Sequence, residues 1–173
     1  MTLITDGYRK LNTQLHADKP GFGAAGDRWA DETLALCELH DTLDVLDYGC
    51  GKGKLAQALH FDIHGYDPAV SAMSQVPKPA DIVMCTDVLE HIEPECLQDV
   101  LRDIHRVTKK VAFLNISTRR ANKSLRDGRN AHLIVNNSNW WDATLAPLFE
   151  IDVVSVTATE YNILVTPKKL EKA

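Results

Sequence analysis

No stretch of this chain approaches the run of about 20 apolar residues that a membrane-spanning helix needs. Its first residues, Met1 to Lys10, are broken by polar side chains where a secretory signal would be apolar, so the expected location is the cytoplasm. The four cysteines (Cys37, Cys50, Cys85 and Cys96) include no Cys-x-x-Cys pair, which leaves free thiols in a reducing compartment as the reading. Repeats and low-complexity tracts are absent too. So is an excess of positive charge: 19 Lys and Arg against 24 Asp and Glu give a net charge of −5, which argues against a nucleic-acid coat or an anionic membrane surface. What remains, at 173 residues with 45% apolar and 25% charged, is one ordinary globular domain over 1–173. Within it, residues 1–26 are polar and glycine-bearing and read as an arm or lid, with the core in 27–173.

The rest of the chain alternates strands with helices. Asp27 caps a helix running to about His40, and "LDVLD" (Leu43 to Asp47) is a buried strand followed by a helix in "KLAQALH". "FDIHGYD" (Phe61 to Asp67) is a second strand, and "ADIVMCTD" (Ala80 to Asp87) a third whose apolar run suits burial on both faces. Pro94 opens a helix with Leu97, Val100, Leu101 and Ile104 on one stripe, and "KVAFLNI" (Lys110 to Ile116) is a fourth strand. A long polar loop from Ser117 to Ser138, a helix from Asn139 to Leu148 and a closing hairpin complete the chain. The pattern predicts an α/β fold, a mostly parallel sheet with helices on both faces and one antiparallel strand from the hairpin.

"VLDYGCGKG" (Val45 to Gly53) sets three glycines at alternate positions behind the first strand, a spacing that fits a tight turn against something. A strand ending in such a turn and feeding a helix makes a ligand crevice. Counted from Gly49, a dinucleotide fingerprint wants a third glycine where Lys54 stands, so that pattern fails. Asp47 beside the turn would repel a pyrophosphate and suits a positively charged ligand. S-adenosylmethionine carries an ammonium, a sulfonium and a ribose. Asp67, at the end of the next strand, is placed to accept from both ribose hydroxyls. The bland alternative is a glycine turn that serves strand–helix packing alone.

"VLDYGCGKG", "HGYDPA" and "DIVMCTDVLEHI" together resemble the motifs of class I S-adenosylmethionine-dependent methyltransferases, over roughly residues 43 to 167. The resemblance implies a Rossmann-like sheet. It implies that Asp47, Gly49, Cys50 and Gly51 line the methionine end of S-adenosylmethionine. Asp67 would then hold the ribose, with Pro68 beside the adenine and Cys85, Thr86, Asp87 and Val88 near the sulfonium. The arm around Tyr8, His16 and "GFGAAG" resembles the segment that closes over the cofactor in small members. One departure stands out: only 13 residues separate Asp67 from Asp81. The family's third strand does not fit there, so its region is truncated and the order becomes 2-1-4-5-7-6 in the family's numbering.

Methyl transfer is an in-line displacement in which the protein aligns the nucleophile and strips its water, and an alcohol acceptor also needs a base. In "GRNAHLI", His132 is the candidate base, with Asp87 behind it, and Arg129 and Asn130 are candidate acceptor contacts. A surface histidine beside a turn is the alternative. "TDVLEH", with Asp87, Glu90 and His91, has the spacing of the acidic and histidine cluster of ubiquinone-pathway O-methyltransferases, where it resembles a divalent-metal site. Two carboxylates and one histidine are an incomplete set for most metals, so a capping role is preferred and no metal is expected. The same loop carries Arg119, Arg120, Lys123, Arg126 and Arg129 against Asp127 alone, which suits a phosphate or carboxylate on the acceptor or merely a solvated surface. It is expected to be mobile without substrate. Of Trp140 and Trp141, one ring belongs to the core and the other is free to wall the acceptor pocket, with Trp141 taken for that role.

The leading expectation is a methyltransferase acting on a small-molecule or sugar-like acceptor, anionic ones included. A nucleotide or nucleic-acid methyltransferase is the second reading, and a cofactor-binding protein without transfer activity the third. With no Asp/Asn-Pro-Pro-Tyr stretch, no Pro-Cys nucleophile and no broad basic face, duplex nucleic acid is not the expected partner. The acceptor atom and the oligomeric state are not legible.

Overall fold

Four strands form the parallel part of one sheet: β1 (Val45–Tyr48), β2 (His64–Tyr66), β3 (Ala80–Thr86) and β4 (Thr108–Ser117). β5 (Phe149–Val156) and β6 (Glu160–Pro167) are the expected hairpin, and β6 enters antiparallel beside β4. The order is β2-β1-β3-β4-β6-β5, the Rossmann-like arrangement expected with the family's third strand missing. Residues 67–79 hold a single 3-10 turn, Ser71–Met73, because a parallel crossover needs a dozen or more residues for itself alone. The computed structural model describes residues 1–19 and 21–169. Pro20 and the last four residues of the single-domain span lie outside the described residues.

β3 shows why its sequence is continuously apolar. Val83 and Cys85 point into one core with Leu101, Ile104 and Leu114, while Ile82 and Met84 point into the other with Val45 and Phe113. Successive side chains alternate faces, and both faces are covered. α4 (Leu97–Val107) covers the first with Leu97, Val100, Leu101, Ile104 and Val107, the stripe expected plus one more turn. Truncating one such leucine, Leu101→Ala, should cost about 2–5 kcal/mol. α2 (Ala30–His40) covers the second face with Leu36 and Cys37.

Some boundaries differ from expectation. Asp27 does not cap α2: Gly26–Trp29 is a 3-10 turn, and α2 starts after it. The last helix, α5 (Ser138–Leu145), starts one residue early because the Asn137 side chain accepts from the Trp140 amide at 3.0 Å and so caps it. α3 (Lys54–Ala58) follows the glycine turn as expected. All four cysteines are buried and unpaired. No helix among the described residues is long and apolar enough to cross a membrane.

The arm is more ordered than its polar composition implied. Thr5 caps α1 (Asp6–Asp18), and Tyr8 and Leu15 bury themselves against Leu125 and Ala131 of the long loop. Four side chains tie it down across the ends of β2 and β3. Thr5 Oγ1 donates to Glu93 at 2.7 Å, and Tyr8 donates to the His91 carbonyl at 2.6 Å. Arg9 and Thr13 donate to the carbonyls of Pro68 and Ala69 at 2.7 and 2.8 Å. The arm is therefore a roof.

Candidate active site

Under that roof lies a cavity of about 330 Å³ at the carboxyl ends of the parallel strands. Its floor comes from the strand ends: Asp67 after β2, Asp47 on β1 with Gly49 just after it, and Thr86 on β3 with Asp87 just after it. α1 and its following turn supply Asn12, His16 and Phe22 overhead. The loop after β4 supplies Arg119, Lys123 and His132 at the side. Strands are about 4.8 Å apart, so the sheet order lays these groups out as a row from Asp67 to the loop cations.

The glycine turn is shaped by what presses on it. Gly49 has φ +85°, and a Cβ there would collide with the Val88 side chain. Gly51 has φ +50°, and its Cβ would meet the Gly23 carbonyl of the arm at 2.7 Å. The turn thus leaves room for the roof: the Gly23 carbonyl accepts from the Lys52 amide at 2.9 Å. On the other side, the amides of Gly49 and Cys50 donate to the Tyr66 carbonyl, locking β1 to β2 beyond the last ladder pair.

Asp47 is buried, and burial, reinforced by the charge of Asp67, pushes its carboxyl up to about 7. A cation entering the cavity would restore its charge, so the site fits the ammonium of a methionine-derived ligand. Asp67 is held ready: Oδ1 accepts from the Ala69 amide at 2.8 Å and Oδ2 from the Gly51 amide at 3.1 Å. Each oxygen keeps a second lone pair for a ribose hydroxyl. Asn12 Oδ1 and His16 Nδ1 are buried in the cavity wall without partners, which is what the hydroxyls and amine of a bound nucleoside would satisfy. These residues fit S-adenosylmethionine.

Asp87 carries the second local anomaly, a φ of +54° on a non-glycine residue, held by its amide donating to the Asn115 carbonyl at 3.1 Å. Its carboxylate lies 3.4 Å from Arg28, which also reaches Glu160 at 3.1 Å. Burial raises its pKa against the opposing pull of Arg28.

A histidine corner lies beside it. The rings of His91 and His132 meet edge to face at 4.7 Å, and Phe22 packs on His91 at 5.5 Å. Each ring is fixed by a backbone carbonyl: His91 Nδ1 to Ala131 at 2.7 Å, His132 Nδ1 to Arg119 at 2.6 Å. Carbonyls only accept, so both Nδ1 atoms carry the proton and both Nε2 lone pairs stay open. Burial drives His91 down to about 3 and lowers His132 as well, so both are neutral at pH 7. Behind them Glu90 is fully buried, its carboxyl pushed up to about 8 by burial and by Asp87.

Most residues singled out in the sequence meet here. Asp47, Gly49, Cys50, Gly51, Asp67, Pro68, Thr86, Asp87, Val88 and His132 all line the cavity. Four do not. Cys85 is fully buried in the core, because it precedes the strand end by one residue and so faces α4. Trp141 is likewise a core residue, and its neighbour Trp140 is the partly exposed ring. Asn130 is spent on the loop itself: its Oδ1 accepts from the amides of Ala121 and His132 at 2.9 and 3.1 Å. Arg129 pairs with Asp127 at 2.7 Å and stacks over Tyr8, leaving Arg119 as the arginine that faces the cavity. Asn12 and Arg28 were missed, whereas Phe22 lies in the "GFGAAG" stretch expected to close over the cofactor. For Asn12 the usable signal was Thr5 as a cap with Tyr8 and Leu15 seven residues apart, which places a helix within the segment read only as an arm or lid.

A sheet of this order, with acids at the ends of its first two strands and a covering arm, defines a class I S-adenosylmethionine-dependent methyltransferase. The methyltransferase domain family matches residues 23–151, and the chain belongs to that family. It is similar to DhpI in complex with SAH, at 15% identity over 94% of this chain and 98% of that one, with a TM-score of 0.63. A second likeness is the Burkholderia thailandensis 1,6-didemethyltoxoflavin-N1-methyltransferase, at 15% identity, 94% and 88% coverage and a TM-score of 0.59. A third is the magnesium protoporphyrin IX methyltransferase of Synechocystis with bound SAM, at 17% identity, 82% and 79% coverage and a TM-score of 0.54. At these identities the likeness is one of fold. No curated protein matches the chain.

Proposed function

We propose that this methyltransferase modifies a small anionic acceptor held at the loop end of the cavity. The observation that carries the reading is the placement of Arg119 and Lys123 at the wall of a roofed space of about 330 Å³, beyond the strand ends that suit the cofactor. In a protein of net charge −5, two cations turned inward suit a carboxylate, phosphonate or phosphate. The roof and the volume support a small-molecule acceptor. Two of the similar proteins are named for small-molecule substrates, 1,6-didemethyltoxoflavin and magnesium protoporphyrin IX.

When bound, S-adenosylmethionine supplies the electrophilic methyl group. Asp47 holds the ammonium, Asp67 the ribose, and Gly49, Cys50, Gly51, Thr86 and Val88 shape the cradle, with Pro68 at the nucleoside end. Tyr8, Phe22 and the rest of the roof exclude water, which would otherwise solvate the nucleophile. Arg119 and Lys123 orient the acceptor's anionic group. In the metal-free chain the open Nε2 of His132 takes the acceptor's proton, and Asp87 is the second group within the cavity able to do so.

The test follows S-adenosylhomocysteine formation with a panel of small hydroxylated carboxylates, phosphonates and phosphates beside neutral alcohols of equal size. Turnover confined to the anionic set, with Arg119→Ala raising KM chiefly, supports the reading. Turnover of neutral alcohols alone, or of mononucleotides alone, would replace it.

A further inference from the structure

We infer that Glu90, His91 and His132 form a binding site for a divalent transition-metal ion that opens onto the acceptor end of the cavity. One donor atom from each of the three lies within 4.8 Å of the other two, the one such group among the described residues. Glu90 Oε1 accepts from the Ser117 amide at 3.0 Å, which aims the carboxyl group, while its buried Oε2 has no partner at all. An unpartnered carboxylate oxygen buried beside two imidazoles is costly unless something comes to it.

The histidines are prepared in the way metal ligands are. Each donates Nδ1–H to a backbone carbonyl, Ala131 for His91 and Arg119 for His132, fixing tautomer and ring direction and leaving Nε2 as the donor atom. Donor atoms around an ion at about 2.1 Å lie roughly 3 to 3.5 Å apart, so the group must close by about an ångström. His132 stands on the loop after β4 and not in the sheet, so it is the ligand placed to supply that movement. Two imidazoles and one carboxylate select zinc, cobalt, iron or manganese, whereas magnesium prefers an all-oxygen shell. The sequence spacing alone left this set incomplete, because the third ligand stands 41 residues beyond His91. Asp87, the other acid of that spacing beside Glu90, is turned to Arg28 instead.

Three protein ligands leave coordination positions open, and His91 and His132 both face the cavity. Resting on the acceptor reading above, the site narrows that acceptor to one whose oxygen can join the ion beside Arg119. Coordination then takes over the proton role of His132, because the ion acidifies the bound hydroxyl, whose proton passes to Asp87 in the cavity lining.

The experiment uses the full chain, stripped with chelator and titrated with cobalt(II) while its visible absorption is recorded. One cobalt per chain is expected, displaced by zinc and not by magnesium, with His132→Gln and Glu90→Gln each weakening binding at least tenfold. S-adenosylhomocysteine affinity, measured on every variant, reports an intact pocket. Glu90→Gln keeps the Ser117 bond, and His132→Gln sits on the loop, so the pair does not depend on one substitution being tolerated. Absence of cobalt binding, or equal binding by wild type and both variants, overturns the proposal. Cobalt binding without any response to S-adenosylhomocysteine would instead sink the reading of the cofactor pocket and leave the metal site standing.

Discussion

Replacing Asp47 by asparagine should make the empty protein more stable and its cofactor affinity worse. The carboxyl group is buried and sits near 7 against an ordinary 3.8, so at pH 7 about half the empty molecules carry it protonated. A ligand ammonium needs the charged form. Apparent S-adenosylhomocysteine affinity in the wild type should therefore fall about tenfold between pH 8 and pH 6, as a proton has to be expelled on binding. Stability runs the other way. The folded pKa lies above the unfolded one, so the native state binds the extra proton between about pH 4 and pH 7. Stability is fully present below the unfolded value and is lost as pH rises through 7. The asparagine side chain would be neutral throughout. At pH 4 the two proteins should unfold alike, and at pH 8 the variant should be the more stable, with a ceiling of about 4 kcal/mol set by the size of the shift. Losing a charge-assisted contact of about 1.5–3 kcal/mol should weaken S-adenosylhomocysteine binding roughly 10- to 100-fold at pH 8 and flatten its pH dependence. Calorimetry at pH 6, 7 and 8 and thermal melts of the empty protein measure both effects. Wild-type affinity in the variant at pH 8, with the same pH profile, would refute the assignment of Asp47 to the cofactor.

Other perturbations separate the roof from the chemistry. Gly51→Ala forces a Cβ to 2.7 Å from the Gly23 carbonyl at a φ of +50°, so the arm should lift, S-adenosylhomocysteine should bind more weakly, and arm amides should exchange faster in hydrogen-exchange measurements. Tyr8→Phe removes the hydroxyl bond to the His91 carbonyl and leaves that acceptor unpaired, a loss of about 1 kcal/mol visible as a lower Tm. In the chelated protein His132→Ala should lower kcat while leaving S-adenosylhomocysteine affinity intact; an unchanged kcat would move the proton to Asp87.

Much of the fold was legible because its signals are local. Val45 to Tyr48 and Ala80 to Thr86 are apolar runs that only a doubly covered strand explains, and the short span after Asp67 already forbade a third family strand. The arm was legible only in part. α1 is mostly polar, and what makes it a helix in place is its contact with Leu125 and Ala131, more than a hundred residues away. Cys85 and Trp141 were misassigned for a related reason. Pattern shows that they stand near the site, but which way a side chain points at a strand end or in a first helical turn depends on what packs against it.

The residues themselves determined the strand–turn–helix unit, the acids at positions 47 and 67, and the glycines that let a chain turn with φ positive. Those are properties of a few consecutive residues, fixed by sterics and charge before anything folds around them. Tertiary structure alone decided which of the loop's cations face inward. Arg129 and Arg126 are neutralised by Asp127 and Asp18, and Arg119 is the arginine left facing the cavity. It alone brought His132 to Glu90 and His91, since the loop had to fold back on Asn130 and onto the arm before those three side chains became neighbours. A contact between distant parts of the chain has no local pattern to betray it, because its free energy comes from closing the loop and burying both sides together.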